Sequence, residues 1–213
     1  MPRATPLPPE ARRAALIAAT EPLLELFGRD VSTKQIAEAA AVAEGTIFRV
    51  FPTKEALIDA VCDQVFDVGR ICTELQTIDP DGALDDRLIE AVGIMQVWLR
   101  QIFGLFHALR LDKRLSEEHD EHLAKQRADN QRLNDVLVTL LRPDAARIRL
   151  DLVDAAEAIR ITTLAFTHPW ISDQRPHEPR LIVDLLLHGV LGTAGQITPV
   201  QVGTAAGGTP PAC

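Results

Sequence analysis

The chain contains no tyrosine, only three cysteines, and no surplus of positive charge. Cys62, Cys72 and Cys213 have neither the spacing of a metal site nor the density of a disulfide framework. Reduced thiols are the expectation, with a Cys62–Cys72 redox switch as the alternative. No apolar run in the sequence approaches the roughly 20 residues that cross a bilayer. The start, Met1-Pro2-Arg3-Ala4-Thr5-Pro6, lacks the apolar stretch of a secretion signal, so a cytoplasmic address is expected, with no membrane partner. The period-two alternation of strands does not recur, and no internal repeat is visible. There is no Gly-rich phosphate loop and no nucleophile elbow. Cys62 or Ser116 with His119 is the only conceivable nucleophile and base, and nothing in the sequence sets them together. No catalytic residue and no cofactor is therefore expected, and the chain does not read as an enzyme.

The formal net charge is −8, which by itself argues against nucleic acid. Its distribution matters more. Residues 1–62 carry seven basic and eight acidic residues, so the first third is nearly neutral and the acidity lies beyond it. A near-neutral segment can still present a local basic face to phosphates.

What the chain does have is helical periodicity. Its 213 residues, 46% hydrophobic and 24% charged, suit a globular protein with one core domain and a smaller attached one. Residues 1–9 hold four prolines and read as a flexible arm. A first helix is predicted over 10–28, burying Leu16, Ile17, Leu23, Leu24 and Phe27, kinked or weakened by Pro22 and stopped by Gly28. Short helices follow at 33–40 and 44–50, then a long one from Lys54 to about Cys72. Residues 77–82 are a turn by composition. Further helices are predicted over 84–111, with a possible break near Gly93 or Gly104, and over 116–141, 152–167 and 180–191. Residues 194–213 are uncharged and rich in Gly, Thr, Pro and Ala, which predicts disorder. The fold class is all-α with about nine helices: an N-terminal three-helix unit over 10–53, a connecting helix over 54–75, and a larger helical domain over 76–193.

The informative segment runs from Phe27 to Leu57. Ser32 can cap a helix, with Gln35 in the capping-box position. Ile36, Ala37 and Ala40 then share one face, and small Ala37, Ala40 and Ala41 allow a second helix to approach. Val42 sits in the turn. Ile47 and Phe51 of the next helix face inward, and Thr53 can cap a third helix whose Leu57 is buried against the pair. Two short helices, a tight turn and small residues at the crossing are what a helix-turn-helix requires. In that motif the second helix enters the major groove.

These residues resemble the DNA-binding domain of the TetR family. The resemblance lies in Ser32, Ile36-Ala37, Ala41-Val42, Gly45-Thr46-Ile47-Phe48, Phe51 and Lys54-Glu55-Ala56-Leu57, and covers about 45 residues with the first helix. It implies a regulator, most often a repressor, that binds palindromic double-stranded operator DNA as a homodimer. By position, Ser32 and Thr33 would offer donors to phosphate, and Lys34 would reach a phosphate or a base edge. Glu44, Gly45 and Thr46 would open the recognition helix. Arg49 would read guanine and Lys54 would hold the backbone as a point charge. Three positions depart from the family pattern. Phe48 replaces a tyrosine that reaches a phosphate. Ala41 replaces a turn glycine. Ala43 replaces a Ser or Thr cap, worth about 1 kcal/mol.

The resemblance further implies a C-terminal domain with a ligand cavity and a dimer interface. Met95, Trp98, Phe103, Phe106 and His107 on one helix, with Thr163, Phe166 and Trp170 on another, would line a pocket for a small hydrophobic effector. Arg100 and Gln96 are further polar anchors, and an ordinary core is the alternative for the whole group. The last helix, through Val183, Leu186, Leu187, Val190 and Leu191, would pair with Ile159, Thr163 and Phe166 in a four-helix dimer contact. The long helix from Lys54 would carry the ligand signal. His119 and His122, within the run 118–122, lack the third ligand that zinc wants, so no metal site is expected. A helical interaction adaptor without DNA binding is the rival reading.

Overall fold

In the computed structural model, residues 8–110, 119–173, 175 and 177–189 are described. Nine α-helices and no strand occur among the described residues: α1 (Pro9–Phe27), α2 (Thr33–Ala39), α3 (Glu44–Val50), α4 (Lys54–Val65), α5 (Val68–Leu75), α6 (Leu84–Leu109), α7 (His119–Leu141), α8 (Leu152–Thr167) and α9 (Pro179–His188). Short 3-10 turns occupy Gly28–Asp30 and Arg142–Arg147. The arm up to residue 7, Ser116, Glu118, Val190, Leu191, Cys213 and the tail 194–213 lie outside the described residues, as do the side chains of His119 and His122.

Two hydrophobic cores organise the chain. The first is built by Leu16, Ile17 and Leu24 of α1, Ile36 of α2, Ile47 and Phe51 around α3, and Leu57, Ile58 and Val61 of α4. The second gathers α5, the first half of α6, α7, α8 and α9. Helix α6 belongs to both. Leu88, Ala91, Val92 and Met95 are in the second core, whereas Leu105 and Leu109 are in the first. At 26 residues it is long and apolar enough, by length and composition, to cross a bilayer. Its apolar side instead fills the two cores. Neither expected break occurs: Gly93 faces Pro179 of α9, and Gly104 faces the Glu25 carboxylate of α1.

The α1–α6 junction depends on Gly28. Its φ is +56°, and a Cβ there would stand 2.5 Å from the carbonyl oxygen of Ala108. Only glycine combines that backbone conformation with that approach. Pro22 lies inside α1 with its ring exposed, so the helix runs through it.

The expected single helix from Lys54 to Cys72 is two helices. The N–H of Gly69 would continue the helix by bonding to the carbonyl of Val65. It donates instead to the Asp67 carboxylate, at 2.8 Å, and Asp67 becomes the N-cap of α5. The Val65 carbonyl is taken by the indole N–H of Trp98 on α6, at 2.9 Å. In the second core, buried Arg87 donates to the carbonyls of Pro80 and Gly82 and to the Asp144 carboxylate, at 3.0, 2.5 and 2.5 Å. One guanidinium thus ties the 79–82 turn to the 142–147 turn.

Candidate nucleic-acid interface

The two short helices are fixed from their starts. The Ser32 hydroxyl accepts from the Gln35 N–H at 3.2 Å, and the Gln35 side-chain oxygen accepts from the Ser32 N–H at 2.9 Å. This reciprocal pair satisfies donors that the helix start leaves open. Ser32 is exposed but holds the helix rather than standing free. The Thr33 hydroxyl donates to the Glu44 carboxylate, joining the start of α2 to the start of α3. Lys34 is exposed and pairs loosely with Glu38 at 4.0 Å, which leaves its charge available.

The turn between the helices passes through Ala41 at φ +53°. Ala43 takes the N-cap position of α3 without a side-chain bond. Ile47 and Phe51 are fully buried, so the face of α3 is set. Glu44, Gly45, Phe48 and Arg49 are exposed and Thr46 is half-buried. Apart from its own turn of helix, no atom of the described residues lies within 4 Å of where a Gly45 Cβ would be, so the space beside the helix start is open.

Two basic residues need comment. The Lys54 ammonium donates to the carbonyls of Arg29 and Val31, at 2.8 and 3.2 Å. It therefore secures the 28–31 turn against α4, and these two bonds leave one of its three N–H groups. Arg13 is the reverse case. It is exposed on α1, its guanidinium lies 4.5 Å from the centre of the Phe51 ring, and it stands beside the end of α3. No local motif marks Arg13; a basic residue on the first helix was the only signal.

The profile "Bacterial regulatory proteins, tetR family" matches residues 16–61, which contain α2 and α3 with the larger parts of α1 and α4. The N-terminal domain is a tetR-family DNA-binding domain. The fold of the chain agrees with solved regulators. A TetR transcriptional regulator from Streptomyces coelicolor is 24% identical, with 85% of this chain and 99% of that one covered at a TM-score of 0.55. The fatty acid degradation regulator FadR from Bacillus halodurans is 18% identical, covering 89% and 98%, at 0.57. The TetR-like regulator LfrR from Mycobacterium smegmatis, in complex with proflavine, is 20% identical, covering 86% and 98%, at 0.55. A search of curated protein sequences finds no significant match.

Beyond the tetR-family domain, the expected pocket residues do not all converge on one site. Met95 is fully buried in the second core. Trp98 is held by Val65. Phe106 packs on Phe66 at 5.3 Å and Phe166 on His177 at 4.9 Å between ring centres. His107 and Arg100 are exposed, Thr163 donates to its own helix at the Ile159 carbonyl, and Gln96 donates to the His177 carbonyl. Phe103 meets His168 edge-on at 4.6 Å, and Trp170, 78% exposed, lies 6.1 Å from the same imidazole. His168 was not among the expected residues, yet its Nδ1 is buried without a hydrogen-bond partner among the described residues, beside Phe103. A separate cleft of about 290 Å³ lies between α5 and α7, lined by Gly69, Cys72, Gln76, Arg132 and Thr139 among others, and by none of the expected ligand residues. Burial raises the Cys62 thiol to about 11 and raises Cys72 as well, so both favour the protonated thiol, which disfavours a redox pair.

The expected dimer residues also divide. Val183 is fully buried within its own protomer's core, as are Ile159 and Thr163, so these three cannot supply an intermolecular face. Leu186 and Leu187 are half-buried against the same core. The exposed apolar residues of these helices are Val153, Ile161 and Leu164 on α8 and Leu181 on α9.

Proposed function

We propose that this protein is a repressor that binds a palindromic operator as a homodimer and releases it when a small hydrophobic molecule enters the helical C-terminal domain. The observation that carries the DNA half is the state of α3. Ile47 and Phe51 anchor one side in the core, while Gly45, Phe48 and Arg49 stand exposed on the other. That is the arrangement a recognition helix needs in a major groove. Arg13 and Lys34 provide exposed flanking charge, Thr46 completes the groove face, and Lys54 contributes its remaining N–H.

For the dimer, Val153, Ile161 and Leu164 are exposed at helical spacing along α8, and Leu181 is exposed on α9. A second copy placing the same stripe against this one forms an isologous contact. The two recognition helices would then address major grooves about 34 Å apart. For the effector, the aromatic group Phe103, His168 and Trp170, with one orphan imidazole nitrogen, supplies an apolar surface and a polar anchor. The complex of LfrR with proflavine shows that a protein of this fold takes up an aromatic molecule. The signal would run through α6, which is packed into both cores and grips the α4–α5 break through Trp98.

The test is fluorescence anisotropy of the purified protein on duplexes from the DNA flanking its own gene. Binding that weakens steeply between 50 and 200 mM salt is the expected result. Absence of binding at low salt rules the proposal out in favour of an interaction adaptor.

A further inference from the structure

Thr33 and Glu44 open α2 and α3 respectively, and lie eleven residues apart in sequence. The turn between the helices brings them together, so that the Thr33 hydroxyl donates to Oε1 of Glu44. Among the described residues the carboxylate has no ion-pair partner, and Oε2 accepts no hydrogen bond. The side chain is exposed, and its neighbour Gly45 leaves open space beside it. An ionised carboxylate only accepts hydrogen bonds. Thr33 engages one oxygen, which leaves Oε2 of this exposed carboxylate as the unengaged acceptor at the start of the recognition helix.

The major groove sorts bases by donors and acceptors. Guanine shows two acceptors and thymine one, all of which repel a carboxylate. Adenine pairs its amino donor with the N7 acceptor beside it. Cytosine offers its N4 amino group, and it suits a lone acceptor best. Phosphates also repel the charge, so a complex lacking the cytosine contact gains nothing to offset that repulsion.

We infer that Glu44 is a specificity-determining residue that reads a cytosine through Oε2, and that Thr33 is the positioning residue that aims it. The inference rests on the DNA-binding reading above. Glu44 favours one base and weakens binding everywhere else, so it sharpens discrimination rather than adding affinity.

The experiment is selection of duplexes from a randomised pool by the full-length protein, followed by affinity measurements at fixed salt. Wild type is expected to enrich cytosine at one position of each half-site, with at least about tenfold preference over the other bases. E44A is expected to lose that preference and to bind random duplex more tightly. E44Q keeps an acceptor for Thr33 but presents an amide donor, and is expected to shift the preference towards thymine or guanine. T33V is expected to retain cytosine with reduced preference, whereas R49A alters a different position. A wild-type motif that E44A and E44Q both leave unchanged overturns the inference while DNA binding stands. A T33V preference equal to wild type removes the positioning role. Wild type that enriches no motif and binds no duplex at low salt overturns the underlying reading instead.

Discussion

The indole N–H of Trp98 donates to the carbonyl of Val65 at 2.9 Å, replacing the bond that Gly69 diverts to Asp67. This contact joins α6 to the last residue of α4, at the boundary between the two cores. Trp98→Phe keeps an aromatic ring and removes the donor, leaving a carbonyl without its partner. A loss of about 1 kcal/mol is expected, read as a lower urea midpoint with an unchanged slope. An unchanged midpoint would show that water replaces the indole freely.

Ala41 carries φ +53°, a conformation that a Cβ disfavours. Ala41→Gly is therefore expected to stabilise the protein by about 1 kcal/mol in chemical denaturation. The turn is exposed, so no packing is lost to mask the gain. A destabilised variant would mean that the added freedom of the unfolded chain outweighs the relieved strain.

The helix-turn-helix was legible because its determinants are local. Ser32 and Gln35 are three residues apart, and the buried Ile36, Ala37, Ile47 and Phe51 follow helical spacing. Likewise α8 spans 152–167 as its periodicity indicates. Contacts between distant residues were not legible. Asp67 can cap a helix, but nothing local shows that Trp98 stands ready to take the released carbonyl. Val183 lies on an apolar face broad enough for a core or an interface, and only α6 packing against α9 decides for the core. Lys54 reads as a free charge until the turn 25 residues earlier claims it.

Asp144 receives both Arg87 and Arg147, and these hydrogen bonds hold its carboxyl below the usual carboxylate range. A carboxylate with a depressed folded-state pKa stabilises the protein above its unfolded pKa, about 4, and loses that contribution as pH falls through the folded value. Asp144→Asn is thus expected to lower the thermal midpoint at pH 7. The variant's midpoint should also fall less than wild type's below pH 4. Parallel curves for the two proteins would contradict the assignment.

The apolar stripe on α8 is testable by charge. Ile161→Asp and Leu164→Asp together are expected to convert dimer to monomer in sedimentation velocity and to abolish tight operator binding. Val183→Ala should instead cost about 2 kcal/mol of stability, as a core truncation does, while the dimer persists at native temperatures. A dimer untouched by the double charge would place the interface elsewhere.

Gly28→Ala forces a Cβ against the Ala108 carbonyl at a positive φ. A penalty of at least about 2 kcal/mol is expected from calorimetry, well above that of an ordinary surface alanine.

Helix α6 also has a bearing on how this protein can be dissected. A fragment ending before residue 84 would keep every side chain proposed to face the groove, yet it would lack Leu105 and Leu109, which complete the hydrophobic packing beneath α1 and α4. Such a fragment would expose sticky surface and lose order around its reading head. The DNA-binding half has no natural scissor line: autonomy was given up where one rod was shared, and any chimera that swaps effector domains must carry the far end of that rod with it.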